Sequence, residues 1–123
     1  MVELLGAAPQ FLVADLDAAL RYYRDRLGFD QRIDYAGFYA SVARGAAEIH
    51  LKCAAALPGH REHRRSNQHL DAFIGVTDLR TLYEELQTRG ARIITAIEEH
   101  PWGAKDFYVE DPDGYILCFS ERA

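Results

Sequence analysis

The sequence predicts an α+β protein built from two tandem βαβββ modules that share one domain. Two observations carry this. Val13-Ala14-Asp15-Leu16 recurs as Val76-Thr77-Asp78-Leu79 at an offset of 63 residues, and the match continues from Leu20 to Tyr83. In both copies a strand-like run precedes the aspartate, and a helix-spaced apolar stripe follows it and ends at a glycine, Gly28 or Gly90. A duplicated design builds its site from equivalent positions in both halves.

Module one covers residues 1–53. Residues 8–14 alternate as a strand, with Pro9 confined to its start or to a sheet edge because proline cannot donate to a ladder. Asp15 is a good N-cap. Leu16, Ala19, Leu20, Tyr23 and Leu27 follow at helical spacing, with Arg21, Arg24, Asp25 and Arg26 toward solvent and Gly28 as a left-handed stop. Three short strands are expected near 29–35, 37–43 and 47–53.

A linker, 54–69, contains Pro58, Gly59 and the basic cluster His60-Arg61-Glu62-His63-Arg64-Arg65. It reads as a solvated segment; over a pocket it would favour an anionic ligand. Module two, 70–123, repeats the order. A strand at 70–77 leads to Asp78 as cap, and Leu79, Leu82, Tyr83 and Leu86 form the stripe before Gly90. Strands follow near 91–97, 105–110 and 114–121, the last two joined by the turn Asp111-Pro112-Asp113-Gly114. Tyr22, Tyr23 and Tyr83 read as helix residues facing the core.

At 123 residues the chain makes one domain with a real core, and modules of about sixty residues are marginal alone. A net charge of −5 argues against general nucleic-acid binding, which needs a basic footprint. It is compatible with a cationic ligand. No apolar run approaches the roughly 18 residues of a membrane span. Met1-Val2-Glu3-Leu4-Leu5 lacks the basic region and long apolar stretch of a signal peptide, so a cytoplasmic location is expected. Cys53 and Cys118 lie in apolar strand-like runs and are expected as buried thiols rather than a disulfide.

Several segments carry a family resemblance. They are Val13 to Tyr23 with Leu27-Gly28-Phe29, then Pro101-Trp102-Gly103, then Phe107-Tyr108-Val109-Glu110-Asp111-Pro112-Asp113-Gly114. Together, in this order and with the duplication, they resemble the vicinal-oxygen-chelate superfamily over essentially the whole chain. That superfamily includes glyoxalase I, extradiol dioxygenases, fosfomycin-resistance enzymes and bleomycin-resistance proteins. The resemblance implies half-barrel sheets, one per module. In the metal-dependent members a divalent ion takes ligands from the first and last strands of the modules.

Carried over by position, those ligand places fall on Ala8, His50, Asp71 and Cys118. Ala8 has no donor atom, and a thiolate shifts preference away from the oxygen-favouring ions toward zinc or copper. A metal on His50, Asp71 and Cys118 with water in the open position is the alternative, and would support a glyoxalase-like lyase or isomerase, or a dioxygenase. The preferred expectation is no metal cofactor and no catalytic group.

Where the metal set is lost, the resemblance implies a stoichiometric binding protein of the bleomycin-resistance kind. Its dimer exchanges the first strand between subunits, and Pro9 after Gly6-Ala7-Ala8 matches the proline found there. Phe38, Phe73 and Trp102 fall where such proteins place pocket aromatics, with Glu98 and Glu99 just before the tryptophan. Flat aromatic faces would hold a planar cationic ligand by stacking and cation–π attraction. Tyr35 and His50 would add polar contacts, and Cys118 would line the same cavity. Phe38 and Phe73 are equally compatible with core packing. Because Phe73 alternates with Ile74, one of the two must face the helix.

Overall fold

The structure, a computed structural model, describes residues 1–54 and 69–122. The basic cluster His60 to Arg65, with Pro58 and Gly59, lies outside the described residues. The first sheet contains β1 (Gln10–Val13), β2 (Asp30–Tyr35), β3 (Tyr39–Arg44) and β4 (Ala47–Cys53), with α1 (Leu16–Asp25) between β1 and β2. The second contains β5 (Ala72–Gly75), β6 (Arg92–Glu99), β7 (Ala104–Glu110) and β8 (Ile116–Arg122), with α2 (Leu79–Arg89) after β5. Strand orders β1-β4-β3-β2 and β5-β8-β7-β6 are the same design twice. In each sheet the first strand pairs in parallel with the last, Gln10 opposite His50 and Phe73 opposite Cys118.

Both aspartates cap as their spacing implies. Asp15 accepts from Ala18 N at 3.0 Å, and Asp78 from Thr81 N at 3.2 Å, each satisfying a first-turn amide that has no partner within the helix. Helix α2 ends on Gly90 at φ 80°, as expected. Helix α1 is stopped by Gly28 in the left-handed conformation at φ 74°, as expected, and Phe29 N donates back to the Tyr23 carbonyl at 2.9 Å to close the stop. Its surroundings also demand a glycine. A Cβ on Gly28 would lie 2.7 Å from Arg44 Nη1, which donates to the Leu27 carbonyl at 2.9 Å. Gly28→Ala is therefore expected to cost about 1–3 kcal/mol, read as a lower urea midpoint at unchanged slope. Strands β1 and β5, at four residues each, are shorter than the runs that predicted them.

Both helices bury their stripes in one core. Leu16, Ala19 and Tyr23 of α1 and Leu79, Leu82 and Leu86 of α2 meet Phe11, Val42, Leu51, Phe107 and Phe119 from the two sheets. The modules join around a pseudo-twofold. Arg26 Nη1 donates to the Arg89 carbonyl at 2.9 Å, and Arg89 Nη1 donates to the Asp25 carbonyl at 3.3 Å. Arg26 and Arg89 occupy equivalent places in the repeat, so each cation sits at the carbonyl-rich end of the other helix. Glu85, the counterpart of Tyr22, holds Arg44 through two 2.8 Å bonds, while Tyr22 donates to the Glu110 carbonyl at 2.8 Å. The hydrogen bond from Arg44 is the main reason that the Glu85 carboxyl is pulled down to about 2.

The symmetry breaks at the turns. Tyr115 stacks on Phe11 at 4.2 Å, and its hydroxyl accepts from Leu12 N at 2.9 Å and donates to Leu12 O at 2.8 Å. Asp113 takes the Ala14 amide at 3.0 Å. The long turn of module two thus seals itself onto β1. The β3–β4 turn of module one is only Gly45 and Ala46, and an open groove of about 1010 Å³ remains between it, Ala7 to Pro9, β5 and α2. Among the described residues, no helix is long and apolar enough to cross a membrane.

Candidate functional site

Alternation assigns one face of each sheet to the helices and leaves the other open. On β4, Ile49 and Leu51 enter the core, so Glu48, His50 and Lys52 stand on the opposite face. On β5, Ala72 and Ile74 pack toward the core, which settles the Phe73/Ile74 choice: Phe73 points outward and is 65% exposed. On β8, Leu117 and Phe119 face the core, and Cys118 lies on the other side.

Four of the expected aromatics are presented rather than packed away. Tyr35 is 70% exposed, Phe38 47% and Trp102 74%, alongside Phe73. Phe73 and Trp102 share a cavity of about 670 Å³ that also borders Ala104, Ser120 and Glu121. Tyr35 and Phe38 flank the β2–β3 turn on the other sheet, outside that cavity. The turn between them carries Ala36 at φ 53° and Gly37 at φ 68°, the pairing of a tight hairpin that thrusts its flanking side chains outward. Lys52 Nζ sits 5.7 Å from the Phe38 ring centroid. His50 shares a 2.7 Å hydrogen bond between its Nδ1 and the Tyr39 hydroxyl, and Glu48 lies 3.8 Å from its Nε2. Beside it in register, the buried Ser41 hydroxyl has no hydrogen-bond partner.

The structure does not gather the four ligand-equivalent positions into a metal centre. Ala8 precedes β1 and carries no donor. Asp71 Oδ2 accepts from Ile116 N at 2.9 Å, and its other oxygen lies 3.4 Å from His69 Nε2. Cys118 is 1% exposed, so it lies beneath the open face rather than on it. Burial, aided by the nearby Asp106 carboxylate that accepts from the thiol, pushes Cys118 up to about 12. Among the described residues no three His, Cys, Asp or Glu side chains form a set that could hold a metal ion. No chemical step is assigned through a metal. Cys53 is half-buried, and both cysteines are free.

Sequence reasoning missed His100 and Asp106. His100 Nε2 donates to Asp106 Oδ1 at 3.0 Å, and the His100 ring stacks on Trp102 at 4.5 Å and 3°. Asp106 pairs with Glu98, and His100, two residues on, reaches it diagonally across the hairpin that Pro101 and Gly103 signal.

Among curated proteins none matches the chain. Solved structures do. The bleomycin-binding protein from bleomycin-producing Streptomyces verticillus, in complex with copper(II)-bleomycin, is 28% identical at TM-score 0.72, covering 97% of each chain. A glyoxalase-related enzyme from Clostridium phytofermentans is 20% identical at TM-score 0.78, over 99% of this chain and 98% of its own. TioX from Micromonospora sp. ML1 is 18% identical at TM-score 0.72, over 96% of both. These last two share the fold. The model of one family matches residues 7–119, and with that span the chain belongs to the glyoxalase/bleomycin resistance protein/dioxygenase superfamily.

Proposed function

We propose that the protein is a metal-independent binding protein that confers resistance by sequestering a small glycopeptide antibiotic of the bleomycin type. The observation that carries this reading is the set of large aromatics left exposed, Tyr35 and Phe73 on strands and Phe38 and Trp102 at hairpin turns, where a packed core would have hidden them. The lack of a donor atom at Ala8 and the burial of Cys118 support a site without a metal. The Streptomyces verticillus relative adds a precedent for the ligand. Trp102 and Phe73 stack on the planar part of the drug, Phe38 on the other sheet does the same, and Tyr35 and His50 supply polar contacts.

The protein acts in the cytoplasm as a homodimer, and the dimer brings the Phe38 face of one subunit to the Trp102 face of the other. Met1, Val2, Leu4 and Leu5 are fully exposed apolar side chains ahead of Pro9, the chemistry of an arm seated on a second copy. No catalytic group is needed. Protection follows from mass action, since bound drug is withheld from its target in proportion to protein concentration over Kd.

Titrating the protein with metal-free bleomycin while following Trp102 emission is expected to give saturable quenching at one drug per site. Metal analysis of the purified protein is expected to find less than one divalent ion per subunit. A flat titration removes bleomycin as the ligand. One tightly held ion per subunit, lost in His50→Ala, overturns the metal-independent reading in favour of a glyoxalase-like or dioxygenase enzyme.

A further inference from the structure

The hairpin that carries Trp102 is built more firmly than a surface loop needs. Gly103 N donates to the His100 carbonyl at 3.0 Å and His100 N donates to the Ala104 carbonyl at 2.8 Å, with Pro101 at the second position of the turn and Gly103 at φ 90°. This backbone delivers the indole flat onto the His100 ring, yet leaves Trp102 74% exposed. The His100 side chain, only 18% exposed, is fixed in its turn by the Asp106 carboxylate, which is 14% exposed. Asp106 also accepts from the Cys118 thiol on β8 beneath it. One face of the indole is capped by a ring tied to the sheet, and Trp102 shares its cavity with Phe73.

A surface tryptophan with no such backing rotates among several rotamers, and a ligand that stacks on it must order it first. Holding the ring in place beforehand is worth a few-fold to about tenfold in affinity, according to the ordering cost of one side chain. The geometry points to His100 and Asp106 as positioning residues that keep Trp102 as a pre-formed platform for a planar aromatic group of the ligand. This rests on the ligand-binding reading above. It adds two residues to the site and states what the ligand must contain.

Trp102 is the single tryptophan of the chain, so the long-wavelength edge of the near-ultraviolet circular dichroism, beyond the tyrosine bands, and emission excited there report on this ring. Three variants separate the contributions. His100→Gln keeps a donor toward Asp106 and removes the ring, His100→Phe keeps the ring and removes the donor, and Asp106→Ala leaves the ring untied. In the ligand-free protein, His100→Gln is expected to lose the tryptophan circular-dichroism band and to raise acrylamide quenching about twofold, as a second indole face opens. His100→Phe and Asp106→Ala, which each keep a ring but break its tie, are expected to show a weakened band and intermediate quenching.

Two probes then test binding: bleomycin, and proflavine as a planar cation without the glycopeptide. His100→Gln is expected to weaken both by about five- to tenfold, with His100→Phe within about threefold of the parent protein. If His100→Gln keeps the band and the quenching, positioning is overturned. If it loses them and binds both probes unchanged, the platform role is overturned. Should the parent protein bind proflavine with this dependence on His100 but ignore bleomycin, the antibiotic reading falls and the platform stands. Binding of neither probe by the parent overturns both. Where far-ultraviolet spectra show that His100→Gln has not folded, Asp106→Ala carries the same test, and an unaltered band and affinity there overturn the assignment.

Discussion

Raising the pH from about 4 to about 7 is expected to weaken this fold, and Asp111→Asn is expected to remove most of that weakening. Asp111 is 1% exposed and sits where α1 meets the β7–β8 turn. Its Oδ2 accepts from the Tyr23 hydroxyl at 2.8 Å, and its Oδ1 accepts from the amides of Asp113 and Tyr115 at 2.9 Å each. Burial outweighs these hydrogen bonds and raises the carboxyl from 3.8 to about 7.

A folded-state value above the unfolded one means that the native protein binds the extra proton throughout that window. The corresponding stability is complete below the unfolded value and is lost as pH rises through the folded one. Across the whole window the effect is on the order of 3 kcal/mol. Glu85 acts with the opposite sign: held down to about 2, its contribution is present above its ordinary 4.5 and lost as pH falls toward 2. Urea unfolding at about pH 5 and about pH 8 reads the difference. The parent protein should be the weaker at the higher pH, and Asp111→Asn should show little change. A parent protein that gains stability over that range would refute the assignment. Tyr23→Phe, which removes a buried donor, should cost about 1–3 kcal/mol, and more at the higher pH, where its partner is charged.

The largest loss is expected from Phe107→Ala. Phe107 is fully buried and lies between Tyr83, edge-on at 5.0 Å, and Phe119, stacked at 5.4 Å. These neighbours belong to α2 and β8, so a cavity there opens between helix and sheet and neither can collapse into it without losing its own contacts. Truncating such a ring costs about 3–5 kcal/mol. Phe73→Ala is the matched control, since its exposed ring should move stability by less than about 1 kcal/mol while weakening drug binding. Equal losses from the two substitutions would mean that Phe73 is a packing residue and that the site has been placed on the wrong face.

The elements that were legible in the sequence are those settled by neighbours along the chain. The capping aspartates, the two helical stripes, the glycine ending α2 and the Asp111 to Gly114 turn all act within a few residues, and each is where its spacing puts it. The glycine that stops α1 is legible in the same way, whereas its close contact with Arg44, 16 residues beyond Gly28, is announced by no local pattern. Periodicity could not choose between Phe73 and Ile74, because a four-residue edge strand offers too few alternations to identify its inner face. The Trp102 stack was hidden for a similar reason. Asp106 pairs with Glu98, so His100 meets it only diagonally, and Trp102 stacks on His100 within the turn, where strand alternation gives no guidance.

The reciprocal arginine clasp has a consequence for how such a chain tolerates change. Arg26 and Arg89 both bind main-chain carbonyls, which every residue type supplies. That part of the join is thus indifferent to what the open sheet faces carry. Substitutions at Ala8 or His50 alter the contents of the molecule without renegotiating this clasp, while Asp71 and Cys118 are also tied into the second sheet. A scaffold joined in this way is free to change its cargo one residue at a time, and a metal enzyme and a drug sponge can lie a few viable mutations apart.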